Sequence, residues 1–286
     1  MTEQANAAGA AAGWRVLRGS ARGTSHAQTG APCQDASDVM LYDLSGEEVA
    51  VLACADGAGS ARLSHEGAQL ACAAVIGEAC DFLDRRGVDA IDRATVEGWY
   101  AGVHAAVADR AAELGATARD LACTLLLAVV GERRAVFAQI GDGAMVVDDG
   151  TPDGYAPAFW PQSGEYANTT YFATEPEALR HLQFAAVEGR RVEEVALFSD
   201  GLQPLALRYE ERAAHAPFFR PMFGRLRPLA ADDAARLEPG LLAFLDSAPV
   251  NARTDDDKTL VLATRRPPAA VPPAPAALGA AAGTAE

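Results

Sequence analysis

The sequence lacks an excess of basic residues. It has 24 Lys and Arg against 39 Asp and Glu, which gives a net charge of -15 at pH 7. Proteins that bind nucleic acids or anionic membranes need basic side chains to neutralise phosphates, so the composition argues against both kinds of partner. Half of the residues are hydrophobic, which allows a buried core and excludes a wholly disordered chain.

Long apolar runs and a basic leader are missing as well. A typical apolar run, Leu125–Val130, is far shorter than the roughly 20 residues of a membrane-spanning helix. The first basic residue is Arg15, so the N-terminus does not have the basic region of a secretory signal. The five cysteines form no C-x-x-C pair. We interpret them as free, buried thiols of a protein in the reduced cytoplasm.

Composition changes at both ends of the chain. Residues 1–13 are Ala, Gly and polar residues without periodicity, and residues 267–286 consist mostly of Pro, Ala and Gly. Such stretches are typical of disordered segments. We therefore expect a single folded domain at residues 14–266, with a disordered lead before it and a disordered tail after it.

The middle of the chain has clear helix and strand signals. Helices are predicted at 64–86, 93–114 and 237–245. Strands are predicted at 49–55, 121–130, 134–140, 144–147, 192–199 and 259–263. The dipeptide Gly131-Glu132 predicts a tight hairpin turn between two of these strands. Hairpins imply antiparallel pairing, so the pattern favours an α+β fold over a doubly wound parallel sheet.

Aspartates follow or precede several of these strands. Three apolar runs end directly in Asp-Gly, at Asp56, Asp142 and Asp200, while Asp35 and residues 255–257 precede further strands. A single Asp-Gly is usually only a turn. Strand ends of one sheet lie close together, however, and clustered carboxylates repel each other unless a cation neutralises them. Oxygen ligands of this kind suit Mg²⁺ or Mn²⁺.

A site with two such cations is suited to hydrolysis of phosphate esters. The cations activate one water and offset the charge that develops during in-line displacement. Neither a G-x-S-x-G nucleophile motif nor a phosphate-binding G-x-x-x-x-G-K loop occurs in the sequence. No Cys/His cluster offers a zinc site.

Six short segments, in this order and spacing, carry a resemblance to a known family. They are SARGTSHAQTGAPCQDA at 20–36, CADGAGSA at 54–61, CTLLLAVV at 123–130, IGDGAMVV at 140–147, LFSDGL at 197–202 and DDKTLVLA at 256–263. Over about residues 14–265 the chain resembles the metal-dependent serine/threonine protein phosphatases of type 2C, in a bacterial branch. The resemblance implies a four-layer α-β-β-α sandwich: two antiparallel sheets flanked by helix pairs, with the metal site at one end.

The resemblance also implies metal ligands. Asp56 would bridge two cations, Mn²⁺ or Mg²⁺, with the backbone carbonyl of Gly57 on one of them. Asp200 and Asp256 would complete that position. Asp142 would join Asp200 in holding a weaker third cation.

The expected catalytic groups differ from the family pattern. Asp35 would act mainly through bound water and orient the attacking hydroxide. The histidine often credited as general acid is replaced by Ala58, so water, His26 or His65 is left for that role. The phosphate-holding arginine has no clear counterpart, and Arg22 and His26 are the candidates.

Two further replacements lie beside these residues. Gln34 stands where a Glu often precedes the first Asp, so one cation would be held with fewer charges. Asp257 stands where an Asn is usual, which adds a negative charge next to the site.

The function expected from these observations is metal-dependent hydrolysis of phosphoserine and phosphothreonine in proteins, without a covalent phosphoenzyme. The substrate would be a phosphorylated protein, a kinase or a kinase target, and the enzyme a cytoplasmic monomer. Two alternatives stay open: a weakly catalytic or inactive regulator that binds a phosphoprotein or a kinase, and a hydrolase of a small phosphoester.

One further segment is unusual. Six of the 19 aromatic residues lie between Tyr155 and Phe172. We expect most of them to anchor this loop against the segment Pro217 to Phe223; the functional alternative is a flap that meets the substrate. The nearby Arg220, Arg225 and Arg227 attract a phosphopeptide on one interpretation and form a solvated turn on the other.

Overall fold

The computed structural model describes residues 13–152, 154–162 and 170–267. Apart from their boundary residues, the predicted lead and tail lie outside the described residues, as does Tyr166 of the aromatic loop. The α-helices are α1 Thr24–Thr29, α2 Ser64–Arg86, α3 Arg93–Glu113, α4 Gln203–Ala206, α5 Ala216–Leu226, α6 Glu238–Leu245 and α7 Ala248–Asn251. Short 3-10 helices span Val88–Ala90, Ala118–Leu121, Ala178–His181, Asp200–Leu202 and Ala231–Leu237.

Twelve strands are formed within the described residues. They are β1 Arg15–Ala21, β2 Ala36–Leu44, β3 Glu47–Ala55, β4 Leu125–Val130, β5 Arg134–Ile140, β6 Ala144–Asp148, β7 Tyr155–Pro157, β8 Gln183–Glu188, β9 Glu194–Phe198, β10 Leu207–Arg208, β11 Ala213–Ala214 and β12 Lys258–Thr264. They build two five-stranded sheets, β2-β3-β4-β5-β8 and β1-β12-β9-β6-β7, and a small β10-β11 hairpin. Every pairing is antiparallel, which confirms the expected α+β class.

The central strands of the first sheet are buried on both faces, which explains why β4 is apolar throughout and β3 is apolar from Val49 onward. In β3, Val49, Val51 and Ala53 pack into a core with α2 and α3. The alternate residues, Leu52 and Cys54 among them, pack into a second core that is shared with the other sheet. Because successive side chains of a strand point to opposite faces, this division places helices on one side and a sheet on the other.

The second sheet has its own outer core. Alternate residues of its strands, such as Phe198 and Leu262, pack with Phe219 of α5 and Leu245 of α6. The layers thus follow the order helices, sheet, sheet, helices. The second helix layer is built from shorter pieces than the first.

The boundaries of the long helices follow local signals. Asp92 caps α3, since its Oδ1 accepts a hydrogen bond from the Thr95 backbone N–H at 2.8 Å. Gly87 ends α2 with φ of 73°, a conformation that favours glycine. The predicted hairpin turn was wrong by one residue: the Gly131 N–H donates to the Arg134 carbonyl at 3.0 Å, so Glu132 and Arg133 form the turn.

All five cysteines are free. Cys54, Cys72 and Cys123 are buried as expected, whereas Cys33 and Cys80 are partly exposed. Among the described helices, none has the length and apolar character needed to cross a membrane.

Candidate metal centre

Strand register places the acidic loops at one end of the two sheets. Ala36, the first residue of β2, pairs with Ala55, the last residue of β3, so Asp35 and Asp56 are neighbours. In the other sheet Phe198, the last residue of β9, pairs with Ala144 at the start of β6 and with Leu260 near the start of β12. These pairings bring the loops that contain Asp142, Asp200 and Asp256 together at one end of the second sheet.

The centre of this region is a cluster of three carboxylates. Asp56, Asp142 and Asp200 each place one oxygen within 4.8 Å of the others, and all three side chains are partly buried. Three acidic oxygens at this separation repel strongly in the absence of a cation. The cluster has the donor atoms and the spacing that a hard divalent cation requires.

The pKa values of these carboxyl groups reflect the crowding. Burial, and then the neighbouring Asp142 and Asp256, raise the pKa of Asp200 to about 7. Burial also raises the pKa of Asp56 well above its ordinary value, with Asp35 as the next contributor. The pKa of Asp142 is raised mainly by burial. Without a cation the crowding favours the protonated carboxyl groups over the charged ones, so the site is arranged to receive positive charge.

Asp35 adds a fourth carboxylate next to the cluster. The Ser199 hydroxyl donates to its Oδ2 at 2.6 Å and accepts the Thr259 backbone N–H at 3.0 Å. Burial raises the pKa of Asp35 to about 7. The other oxygen, Oδ1, is buried and has no hydrogen-bond partner among the described residues, and the same holds for Oδ1 of Asp142. Buried polar atoms are rarely left unpaired, so both oxygens are suited to a ligand or a water.

The backbone at Gly57 is fixed by its neighbours. The Asp56 carbonyl accepts the Thr124 N–H at 2.8 Å, and the Ala58 N–H donates to the Ala122 carbonyl at 2.9 Å. In such an antiparallel bridge the central residue directs its own carbonyl to the opposite side. A Cβ at Gly57 would lie 2.7 Å from the Gln34 carbonyl oxygen, so the close approach of these loops requires glycine.

Glutamine side chains hold the loop around Asp142, and the sequence analysis did not identify them. Gln139 Nε2 donates to the carbonyls of Gly141 at 3.0 Å and Gly143 at 2.9 Å. Gln162 Oε1 accepts the Gly141 N–H at 2.7 Å, and Gln203 donates to the Asp142 carbonyl. A single glutamine in a strand or loop carries no sequence pattern, so no signal pointed to this role.

Asp257 is an anchor for the preceding loop. Its side chain is only 1% exposed. One carboxylate oxygen accepts the Gly23 N–H and the other accepts the Gln34 N–H, each at 2.6 Å. His26 Nδ1 lies 3.0 Å from the second oxygen. The Asp257 carboxylate, which supplies the extra negative charge expected here, therefore connects residues 23–34 to the start of β12 through these hydrogen bonds.

The other candidate residues lie around this anchor. His26 is on α1, beside Asp257, and is partly exposed. Arg22 is exposed, and its Nη1 contacts the Ala31 carbonyl at 3.4 Å. His65 is the second residue of α2 and is partly exposed. Gln34 is buried with its Oε1 unpaired among the described residues.

The described aromatic residues of the 155–172 segment anchor it. Tyr155 stacks on Phe223 at 5.5 Å between ring centroids, as expected for the segment Pro217 to Phe223. Trp160 contacts Tyr209 edge-on, and Tyr171 stacks on His181. Phe172 packs against a small cluster that contains Ala58.

Arg227, one of the three nearby basic residues, serves a structural ion pair. Its guanidinium donates to both carboxylate oxygens of the fully buried Glu194, at 2.8 Å each. Arg227 is thus neither a solvated residue nor a phosphopeptide contact.

Comparisons with known proteins agree with this geometry. A family model described as protein phosphatase 2C matches residues 22–245, more than half of the chain. The chain is 36% identical over 265 residues to the serine/threonine-protein phosphatase 3 of Escherichia coli (strain K12), which covers 87% of this chain and 98% of that protein.

Solved structures share the fold at lower identity. A C. elegans sex determining protein has a TM-score of 0.62 and 14% identity, over 90% of this chain and 66% of that chain. A bacterial serine phosphatase has a TM-score of 0.56 and 15% identity, over 88% and 98%. The catalytic domain of the serine threonine protein phosphatase PstP, in complex with 2 manganese ions, has a TM-score of 0.55 and 18% identity, over 88% and 97%.

Proposed function

The chain belongs to the protein phosphatase 2C family, and we propose that it hydrolyses phosphoserine and phosphothreonine in proteins by direct attack of an activated water on phosphorus. The observation that carries this proposal is the triad of Asp56, Asp142 and Asp200, whose oxygens lie within 4.8 Å of one another. The name of the E. coli relative supports a phosphorylated protein as substrate.

Mn²⁺ or Mg²⁺ fits the donor set of this centre. Asp56 and the Gly57 carbonyl would hold the cations together with Asp200 and Asp256. Asp142 would join Asp200 at a third position, which its buried Oδ1, unpaired among the described residues, supports. When bound, such cations lower the pKa of a water and offset the charge on the phosphoryl oxygens.

Asp35 would position the attacking water. The Ser199 hydroxyl holds one of its oxygens at 2.6 Å, and the other is buried and unpaired among the described residues. That second oxygen is available to accept a hydrogen bond from the water and so fix its direction of attack.

The leaving alkoxide and the phosphate need further groups. Because Ala58 cannot donate a proton, we assign protonation to His26, to His65 or to bulk water. Arg22 is exposed near α1 and is the second candidate, with His26, for holding the phosphate. The proposal also includes a kinase or a kinase target as the substrate, a cytoplasmic location and a monomeric enzyme. These three points stay predictions.

Hydrolysis of a phosphothreonine peptide in the presence of Mn²⁺ tests the proposal. Asp56→Asn and Asp200→Asn should each lower kcat by at least about tenfold, since even groups that only support metal ligands cost about 10–100-fold. Asp255→Asn is the matched control, because Asp255 is exposed and adjacent to the centre; its rate should equal that of the wild type. Equal rates for all four proteins would refute a carboxylate metal centre.

A regulator remains the alternative function, because Ala58 replaces the expected acid. Calorimetry with Mn²⁺ and the same phosphopeptide separates the two. Binding without release of inorganic phosphate would favour the regulator, and turnover would favour the enzyme.

A further inference from the structure

An apolar cavity lies on the far side of the second sheet, away from the first. Its volume is about 840 Å³. The walls are formed by Leu17 of β1 with Phe218 and Met222 of α5 and Leu241 and Phe244 of α6. Pockets of about 300–1,000 Å³ with mostly apolar walls are typical of sites for small organic molecules.

The ionisable side chains described in the lining of this cavity are all basic. Arg208, His215, Arg225 and Arg253 contribute to its lining, and among the described residues no Asp or Glu does. Carboxylates outnumber basic residues in the whole chain, so an all-basic lining departs from the composition. Arg225 makes no hydrogen bond or ion pair within the described part of the chain. An apolar cavity with an available guanidinium is complementary to an organic anion.

The cavity is connected to the metal centre through one short segment. Pro204, Leu205 and Leu207 line it. The preceding residue, Gln203, donates a hydrogen bond to the Asp142 carbonyl. Asp200 lies just before, in the 3-10 helix that leads into α4. A molecule in the cavity therefore contacts the segment that positions two carboxylates of the centre.

We propose that this cavity binds an organic anion with an apolar body, whose negative group is held by Arg225, and that its occupancy changes the metal dependence of the centre. The second part rests on the proposed phosphatase function, whereas the first does not. An experiment can therefore contradict the effect on metal dependence without contradicting the binding site.

Two fluorescent probes test the binding. 8-Anilinonaphthalene-1-sulfonate combines an apolar body with a sulfonate, and N-phenyl-1-naphthylamine has a similar body without charge. Arg225→Glu should weaken binding of the sulfonate by about tenfold or more, because it replaces a charge-assisted hydrogen bond with a repelling carboxylate, and should leave the neutral probe largely unaffected. Arg133→Glu makes the same charge change at an exposed residue outside the cavity and should bind both probes like the wild type.

A second variant fills the cavity. Gly240 lies on α6 in the cavity lining, and a Cβ there meets no atom within 4 Å. Gly240→Phe should abolish binding of both probes without disturbing the fold. Gly98→Phe is the matched control on α3, where a Cβ also meets open space. Unfolding midpoints confirm that each variant is folded, which matters because partly folded proteins also bind the sulfonate.

The results decide both parts of the proposal. Equal sulfonate binding by the wild type, Arg225→Glu and Gly240→Phe would overturn the site. If the site is correct, the sulfonate should shift the Mn²⁺ concentration for half-maximal phosphatase activity in the wild type and not in Gly240→Phe. An unchanged Mn²⁺ dependence in an active, probe-bound protein would overturn the connection to the metal centre.

Discussion

Removal of divalent cations should make the stability of this protein strongly dependent on pH. Burial raises the pKa of Asp35 and of Asp200 from 3.8 to about 7 in the folded protein without cations. A carboxyl group with a raised folded pKa binds its proton more tightly when the chain is folded. The stabilisation by that proton is fully present below pH 3.8 and is lost as the pH rises through the folded pKa of about 7.

The size of the effect follows from the change in pKa. One pKa unit corresponds to 1.36 kcal/mol, so a rise of about three units destabilises the cation-free protein by about 4 kcal/mol once the carboxyl group is ionised. The free energy of unfolding should fall by this order between pH 4 and pH 8. For a chain of this size that is a decrease of about 8–16 °C in the unfolding midpoint, most of it above pH 5.

Bound cations should reverse the trend, because they stabilise the ionised carboxylates. The measurement is the unfolding midpoint between pH 5 and pH 8, once with a chelator and once with excess Mn²⁺. The increase produced by Mn²⁺ should be largest at pH 8. Asp200→Asn removes one of the repelling charges and should reduce the decrease in the chelated protein, while Asp255→Asn should behave like the wild type.

The reasoning would be refuted if the unfolding midpoint measured in the presence of the chelator stays constant or rises from pH 5 to pH 8. An equal increase by Mn²⁺ at both pH values would also contradict it, since it would mean that the cations do not compete with protons.

Two further predictions concern carboxylates that hold the fold together. Asp257→Asn should lower the free energy of unfolding by about 2–3 kcal/mol, because an amide nitrogen would face one of the two N–H donors that now bind carboxylate oxygens; chemical denaturation measures it, and a loss no larger than that of Asp255→Asn would contradict the anchor. Arg227→Met should cost about 3–5 kcal/mol by leaving the buried Glu194 without its main cation. Combination with Glu194→Gln should recover most of that loss, and a double variant as unstable as the single one would argue against a charge effect.

Local sequence signals predicted much of the fold. The bounds of α2 were correct, and those of α3 were correct within one residue, because Gly87 and Gly115 mark their ends and apolar residues recur along them. The Asp-Gly pairs after apolar strands located three of the clustered carboxylates, since a turn at a strand end is a local feature.

Elements that depend on distant partners were not predicted. β1 has a mixed sequence, and it forms a strand because it pairs with β12 along its whole length. α5 contains Pro221, which disfavours a helix; buried phenylalanines hold it against the second sheet nevertheless. The contacts of Asp257 join residues more than 220 positions apart, so no local pattern could identify them.

The position of β12 in its sheet has a consequence for synthesis. It is the last of the described strands, yet it lies between β1 and β9 in the sheet. While the ribosome is still making the preceding residues, β1 and β9 have no partner between them, and such long-range pairing forms late and slowly. Asp256 lies just before this strand, so a nascent chain should be catalytically silent until β12 has left the exit tunnel.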